Sequence, residues 1–212
     1  SIPLGNHDNA RINVKRTDKD LEMIYAFGLT MPGLPFIYYG NEIGMRQLYG
    51  MPNVEGAYPP RSGNRTPMQW APGENLGFST ADPELLYLPV DIATDAPNVA
   101  DQENNPNSLL NKFRHLTNLK RTEPALTAYA EFVPVYAVEN TYPLVYARAN
   151  NDEVVLCIFN PANRNEEASF ELDRKIKRLK LLAGDNIIMD TKSRRVKIEI
   201  APVSYAIYKI KF

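Results

Sequence analysis

A short run of apolar and aromatic residues at positions 34–39 (LPFIYY) is bounded by a glycine on each side. Such a continuous run is typical of a strand that is buried on both faces of a parallel sheet. A second apolar run covers residues 2–4. Between the two runs we expect a helix that has Thr17 as its N-cap, shows helical spacing from Leu21 to Leu29 and ends at Pro32-Gly33. The order strand, helix, strand predicts a βαβ unit, in which a right-handed crossover makes the strands parallel neighbours.

The segment from residue 50 to residue 106 is rich in proline, glycine and polar residues, and it has no sustained period of 2 or 3.6. Compact domains seldom contain so long a connection unless it is functional or forms a small subdomain. We therefore expect an ordered loop excursion here. A helix should follow it, with Asn105 as N-cap, Pro106 at the first helical position and Pro124 as its end.

Beyond about residue 128 the sequence changes to short β runs that are separated by polar turns. The runs lie near residues 132–138, 144–149, 154–160, 168–172, 179–183, 187–189, 196–200 and 204–210. Many short strands with tight connections indicate an antiparallel sandwich or meander. The sequence thus predicts an α/β domain at residues 1–127 and an all-β, antiparallel domain at residues 128–212.

Net charge and cysteine content limit the classes of function. The 212-residue chain has 24 basic and 25 acidic side chains, so no net field would collect nucleic acid or an anionic membrane, whereas a neutral sugar is a compatible partner. Cys157 is the only cysteine and lies in an apolar run, so we interpret it as a buried hydrophobic residue. No stretch approaches the roughly 20 apolar residues of a membrane-spanning helix. Ser1 follows no initiator Met or signal-peptide pattern, so we expect that it is not a natural start.

A polar cluster, Asn6-His7-Asp8, follows the first apolar run at once. A strand delivers functional groups to its C-terminal end in this way. Taken alone, however, the three residues could equally form a turn, a helix cap or half of a metal site.

Three further motifs follow in order: PGLPFIYYGNEIGM at residues 32–45, RTPMQW at residues 65–70 and NSLLN at residues 107–111. Together with the polar cluster they resemble the α-glucosidase and trehalose-synthase-like branch of glycoside hydrolase family 13. The resemblance runs from Leu4 to about Phe159, and RTPMQW is its most specific element. It implies the last part of an eight-stranded (β/α) TIM barrel, with residues 2–4 and 34–39 in strands seven and eight, followed by an antiparallel β-sandwich domain.

The resemblance also implies roles for individual residues. Asp8 would be the family's third carboxylate, which hydrogen-bonds sugar hydroxyls and stabilises an oxocarbenium-like transition state, and His7 would bind the same ring. Asn6 would belong to the substrate-binding set. Arg65 would pair with a carboxylate from the first half of the barrel and close the pocket behind one glucose, with a structural ion pair as the alternative. Arg11 would lie near the aglycone side, with a surface salt bridge as the alternative.

A retaining mechanism needs two further carboxyl groups about 5 Å apart, a nucleophile and an acid/base. The resemblance places both upstream of Ser1, so we expect the isolated chain to be inactive. Glu42 could substitute, but it lies in a block that the family uses as scaffold. Trp70, Tyr38 and Tyr39 could stack on sugars or pack in a core. The sequence does not decide between sugar stacking and core packing for these aromatic residues. We interpret His115 as a solvated surface residue.

The sequence therefore predicts the C-terminal part of a retaining α-glucosidase-type hydrolase that acts on short α-linked gluco-oligosaccharides. Residues 9–11 resemble the hydrolases, whereas residues 61–99 also resemble trehalose synthases, so a glucosyl-transferring isomerase is an alternative. A non-catalytic binding or scaffold relative is another. No metal or cofactor is expected within this segment, since the family's usual calcium loops precede it. The expected partners are α-glucosides and either the missing N-terminal part of the barrel or further copies of the chain.

Overall fold

The structure is a computed structural model and describes residues 1–151 and 153–212. The chain divides into two compact units. The first unit comprises Ser1–Glu22 and Pro35–Arg114, and the second comprises Met23–Leu34 and His115–Phe212. No helix in the described ranges is long and apolar enough to cross a bilayer.

A small parallel sheet opens the first unit. Strand β1 (Ile2–Pro3) pairs with β2 (Pro35–Phe36), and the backbone N–H of Leu4 extends the pairing by donating to Phe36 O at 2.8 Å. Helix α1 (Asp18–Thr30) lies between them in sequence, which confirms the predicted order of elements. The predicted two-sided burial of residues 34–39 is wrong: Leu34 is 63% exposed and Phe36 is 54% exposed. In the described part of the chain β2 has a single strand neighbour, and both strands contain a proline that cannot donate to a ladder.

Helix α1 begins where the sequence predicts. Thr17 and Asp20 form a reciprocal cap, in which the Thr17 N–H donates to Asp20 Oδ2 at 2.7 Å and the Asp20 N–H donates to Thr17 Oγ1 at 3.3 Å. The bond from Thr17 Oγ1 lowers the pKa of the Asp20 carboxyl. Leu21, Tyr25 and Leu29 are all buried, so the predicted apolar spacing marks the buried face of the helix.

The proline-rich segment consists of turns and short helices. Three 3-10 helices cover Arg61–Asn64, Glu74–Gly77 and Pro83–Leu85, and a further one, Asn41–Ile43, follows β2. Helix α2 is a short element at Val99–Glu103, and α3 spans Leu109–Thr122. The predicted cap of the last helix is wrong, because Asn105 instead closes a turn by accepting from the Asn107 N–H at 3.0 Å. Ser108 is the residue before the helix, and its Oγ accepts from the Asn111 N–H at 3.3 Å.

The second unit is rich in antiparallel β structure, as predicted. Its strands are β3 (Glu131–Tyr136), β4 (Leu144–Asn150), β5 (Glu153–Asn160), β6 (Glu166–Glu171), β7 (Arg178–Gly184), β8 (Ile188–Asp190), β9 (Arg195–Ile200) and β10 (Ser204–Lys211). They form one sheet in the order β3-β4-β5-β10-β7 and another in the order β6-β9-β8. Every pairing within these two sheets is antiparallel.

Alternating residues of both sheets enter one hydrophobic cluster. On β9, Val196, Ile198 and Ile200 are buried, while the residues between them are more exposed. Leu156 and Ile158 of β5 belong to the same cluster, so the period of 2 in the sequence reports the buried face of each strand. Cys157 is also fully buried, which confirms its interpretation as a packing residue.

A buried arginine ties several carbonyl groups together in the second unit. Arg148 is fully buried and donates to the carbonyl oxygens of Thr127 at 2.7 Å, Ala130 at 2.9 Å and Glu131 at 3.2 Å. It also donates to Thr30 O, at the C-terminal end of α1. Because a guanidinium presents several donors in a fixed plane, one side chain can satisfy all four carbonyls.

Candidate functional site

The polar cluster after β1 is held in a tight loop by Asn6. Its Oδ1 accepts from the Asp8 N–H at 2.8 Å, from the Asn9 N–H at 3.0 Å and from Asn9 Nδ2 at 3.1 Å. This is the local side-chain-to-backbone bonding that favours Asn in turns. The amide oxygen of Asn6 is therefore used to shape the loop, which leaves His7 and Asp8 on the exposed side of it.

Asp8 lies at the centre of a cluster of charged groups. Its Oδ1 is 3.2 Å from Arg65 Nη2 and 3.2 Å from Arg61 Nη1, and its Oδ2 is 3.5 Å from His7 Nε2. Arg65 also donates from Nε to His7 O at 2.9 Å and from Nη1 to Gly56 O at 2.8 Å. The structure thus brings together His7, Asp8 and Arg65, but the carboxylate that Arg65 contacts is Asp8 and not the expected one from the first half of the barrel. Because Arg61 and Asp8 are about half exposed, their ion pair stabilises the fold little.

Two buried asparagine side chains, Asn41 and Asn64, hold this loop on the strand pair. Asn41 Nδ2 donates to Leu4 O at 2.8 Å, and Asn64 Nδ2 donates to the carbonyls of Asn6, at 3.4 Å, and Asn9. Gly5 has a φ of 131°, and a Cβ there would lie 2.6 Å from Asn41 Nδ2. Glycine at this position therefore permits both the backbone conformation and the close approach of the amide.

Arg11 lies against two tyrosine rings. It is only 3% exposed, its Nη1 donates to Tyr39 O at 2.8 Å, and its guanidinium carbon lies 5.2 Å and 5.1 Å from the ring centres of Tyr38 and Tyr39. A surface salt bridge, the alternative interpretation for Arg11, is therefore wrong. Sequence reveals the charge of Arg11 but not the two tyrosine rings that cover it. Burial also raises the pKa of Tyr38 above its usual range.

Glu42 lies in the 3-10 helix Asn41–Ile43 and is partly buried. Burial raises the pKa of its carboxyl above the usual range, although bonds from backbone N–H groups and the charge of Arg11 oppose the rise. A raised pKa is what a proton donor needs, but it also results from simple burial in a scaffold. The structure records no hydrogen bond or ion pair between Glu42 and Asp8.

The aromatic residues and His115 fall into different environments. Trp70 is 51% exposed, so it is not a core residue; its segment is held instead by the backbone, through a bond from the Trp70 N–H to Leu76 O at 2.8 Å. Tyr39 is partly exposed and donates from its hydroxyl to Thr66 O at 2.7 Å. His115 is exposed, with Nε2 2.6 Å from Leu182 O.

Arg61 is a site residue that the sequence reasoning missed. It begins the 3-10 helix Arg61–Asn64, and its exposed guanidinium reaches the same carboxylate oxygen as Arg65. Spacing along the chain gives no signal for this, because Arg65 lies just after the 3-10 helix that Arg61 begins. Within residues 1–151 and 153–212, no group of three or more His, Cys, Asp or Glu side chains is placed to hold a metal ion.

Comparison with known families gives a match over the segment that contains this cluster. Residues 1–129 match the family described as alpha amylase, catalytic domain. The match covers more than half of the chain. The chain therefore belongs to the α-amylase family, glycoside hydrolase family 13.

Individual relatives of this α-amylase-family chain include two types of protein. A trehalose synthase/amylase of Mycobacterium tuberculosis is 36% identical over 149 residues, which are 66% of this chain and 23% of that protein. A probable alpha-glucosidase of Rhizobium meliloti is 30% identical over 214 residues, which cover 91% of this chain and 36% of that protein. The chain thus spans a minor part of the curated relatives that it matches.

Solved structures show the same fold. The crystal structure of isomaltulose synthase from Erwinia rhapontici superimposes with a TM-score of 0.76 at 24% identity, over 99% of this chain and 42% of that chain. At this level of identity the likeness is one of fold. The family assignment and this superposition together relate the chain to the TIM-barrel enzymes of the α-amylase family.

Proposed function

We propose that this chain is the C-terminal part of a retaining α-glucosidase-type glycoside hydrolase that acts on short α-linked gluco-oligosaccharides. The observation that carries the proposal is the cluster of His7 and Arg65 around Asp8, directly after β1. Enzymes with barrel folds place their chemistry at the C-terminal ends of strands, where this cluster lies. The family itself is one of glycoside hydrolases and transglycosylases.

The proposed role of Asp8 follows from how a glycosidic bond breaks. Positive charge develops on the anomeric carbon and the ring oxygen, so a carboxylate at the sugar hydroxyls stabilises the transition state more than the ground state. Arg61 and Arg65 both contact Oδ1, whereas Oδ2 is next to His7 Nε2. We therefore expect Oδ2 to accept a bond from one hydroxyl of the sugar, while His7 contacts a neighbouring hydroxyl of the same ring.

Arg65 has two proposed tasks at this site. It fixes the carboxylate through Nη2 and fixes the loop through the bond from Nε to His7 O. A planar group with three separate acceptors has little freedom, so it can hold the end of a pocket that fits one glucose. Asn6 would act by shaping the loop. Arg11 would act indirectly, by supporting Tyr38 and Tyr39 on the aglycone side.

The proposal assigns the nucleophile and the acid/base to residues outside this chain. Retaining enzymes need these two carboxyl groups about 5 Å apart, and Asp8 cannot replace either of them. We propose that the chain functions with the N-terminal part of the barrel, or associates with copies of itself where that part is absent. We also propose that the two sheets of the second unit form a sandwich, because one hydrophobic cluster draws residues from both.

A trehalose-synthase-like isomerase is the second candidate, and a specific observation favours it. Several relatives are trehalose synthases, with 33–37% identity over 50–66% of this chain. Both candidates use the same Asp8 chemistry for the first step. They differ in whether water or a retained glucose accepts the glucosyl group.

Product analysis of the whole protein distinguishes the candidates. The protein would be incubated with maltose, and sugars would be separated by anion-exchange chromatography. Glucose as the sole product supports the hydrolase, and trehalose supports the isomerase. A whole protein that is folded but forms neither product, from maltose or from an aryl α-glucoside, would indicate the non-catalytic relative instead.

A further inference from the structure

A second concavity shares Arg65 with the Asp8 cluster. It has a volume of about 400 Å³ and is open to solvent, and its walls include Tyr39, Phe78 and Tyr87 as well as Arg65. This volume is within the range of small-molecule sites. All of its residues belong to the first unit. We infer that this concavity is an accessory binding site for an α-linked glucosyl unit, separate from the contacts that Asp8 makes.

The chemistry of the walls selects the class of ligand. Phe78 is 49% exposed and Tyr87 is 59% exposed, so both rings are accessible to a ligand in this concavity. A pyranose offers an apolar face of C–H bonds that packs on a flat ring, and a rim of hydroxyls that reaches water or polar groups. The guanidinium of Arg65 is already bonded to Asp8 and to the carbonyls of His7 and Gly56, so the site has no uncommitted charge for an anion.

The two tyrosine rings are fixed before any ligand binds. The Tyr39 hydroxyl donates to Thr66 O at 2.7 Å, and the Tyr87 hydroxyl donates to Glu55 O. Each ring is therefore anchored at its far end and can present its face. A binding surface that is already ordered loses less conformational entropy when the ligand arrives.

Phe78 is held by a strained turn. Asn75 and Leu76, just before it, have φ angles of 48° and 50°, which are uncommon for residues other than glycine. The turn is maintained by bonds from Asn75 Nδ2 to Ser79 O at 3.0 Å and Ala81 O at 2.7 Å, and by the bond from the Trp70 N–H to Leu76 O. Strain that is retained by several bonds is common where a side chain must be presented to a ligand.

The accessory site is linked to the Asp8 cluster through Gly56. Its carbonyl accepts from Arg65 Nη1, and a Cβ at this position would lie 3.2 Å from the Tyr87 hydroxyl oxygen. A ligand that packs on Tyr87 therefore contacts the segment that holds Arg65. The identity of the ligand rests on the proposed function. In an enzyme with that function, the accessory site would favour substrates of more than one glucose unit.

Equilibrium binding of maltose to the 212-residue chain tests this inference. Titration calorimetry would compare the wild-type chain with Phe78→Ala and with Tyr129→Ala, a matched control because Tyr129 is fully exposed in the second unit. We expect Phe78→Ala to weaken maltose binding about tenfold, since a large contact face is lost. Tyr129→Ala should leave the affinity within about twofold. Phe78→Leu, which keeps an apolar side chain but not the flat ring, replaces Phe78→Ala if circular dichroism shows that the latter does not fold.

Four results would overturn the inference. Three of them are a wild-type chain that does not bind maltose, a folded Phe78 variant that binds it as wild type does, and tighter binding of p-nitrophenol than of maltose. Maltose binding that is lost in Asp8→Asn but kept in Phe78→Ala would also overturn it, while supporting the proposed site at Asp8. Failure of the proposed function would be seen separately, as absent turnover by the whole protein.

Discussion

At the scale of single residues, Asp8 combines exposure with unusually dense pairing. Its carboxylate is about half exposed, so Asp8→Asn should leave the fold intact. In the whole enzyme we expect this change to lower kcat by at least about a hundredfold, because charge stabilisation of the transition state is lost. Steady-state assays on an aryl α-glucoside would measure it. Asp173→Asn, which changes an exposed carboxyl in the second unit, is the control, and unchanged kcat in Asp8→Asn would remove Asp8 from the catalytic set.

The two arginines at Asp8 should differ in importance. Arg65 makes three bonds across the site, whereas Arg61 is exposed and contacts only the carboxylate in the described structure. Arg65→Ala should therefore lower kcat/KM more than Arg61→Ala, and it should affect maltose more than longer oligosaccharides, since a closed pocket gains most from holding a single glucose. Arg65→Lys should not restore activity, because one ammonium cannot reach three acceptors in a fixed plane. Equal losses at every chain length would argue against the pocket role.

Cys157 gives a pH-dependent prediction for stability. Its burial raises the pKa of the thiol to about 12, from a usual value near 9. Above pH 9 the unfolded chain loses this proton while the folded chain keeps it, so the thiol's contribution to stability falls as pH rises toward 12. In urea titrations, Cys157→Val should lose about 1 kcal/mol less stability than wild type for each pH unit in that window. Parallel pH curves for the two proteins would contradict the burial argument.

The order of the motifs in the sequence indicated His7, Asp8 and Arg65 as candidate site residues, because each of them belongs to a recognisable motif. Arg61 and Arg11 illustrate what sequence alone does not provide. Arg61 joins the site only because a 3-10 helix turns it toward Asp8, and Arg11 is buried because two tyrosine rings cover it. Both outcomes depend on contacts between segments that are distant along the chain. The roles of all these residues in catalysis stay predictions.

At the scale of elements, Arg148 is the side chain that holds the C-terminal end of α1 in the second unit. It donates to four carbonyl groups while fully buried. We expect Arg148→Lys to destabilise the chain by roughly 3 kcal/mol, because an ammonium leaves some of these buried acceptors without donors. Thermal unfolding followed by circular dichroism measures this, with exposed Arg195→Lys on β9 as the matched control. A shift no larger than that of the control would show that the carbonyls find other partners.

Periodicity predicted the β elements well and the ends of the helical and barrel-type elements less well. On β9 each inward position is apolar, so the alternation that indicates the strand also indicates its buried face. In contrast, β2 is limited to Pro35–Phe36, since its proline cannot donate and its one paired neighbour is as short as itself. The start of α3 was misplaced because Asn105 and Ser108 both have cap chemistry, and only the preceding helix α2 decides between them.

At the scale of the whole molecule, the chain carries the Asp8 cluster on a strand pair that has an exposed aromatic ring. Phe36 is about half exposed, and β1 and β2 pair only with each other in the described residues. Unpaired strand edges and exposed rings favour association with further strands. We therefore predict that Asp8 acts together with a nucleophile and a proton donor from the N-terminal part of the barrel.

The most direct test is the activity of the purified 212-residue chain, of verified mass, on maltose and an aryl α-glucoside. We predict no turnover by the chain alone. Turnover should appear when the chain is produced together with the N-terminal part of the same protein, and it should fall again with Asp8→Asn. Turnover by the chain alone that is abolished by Asp8→Asn would contradict the account, and Glu42, with its raised pKa, would then be the first candidate for the missing acid.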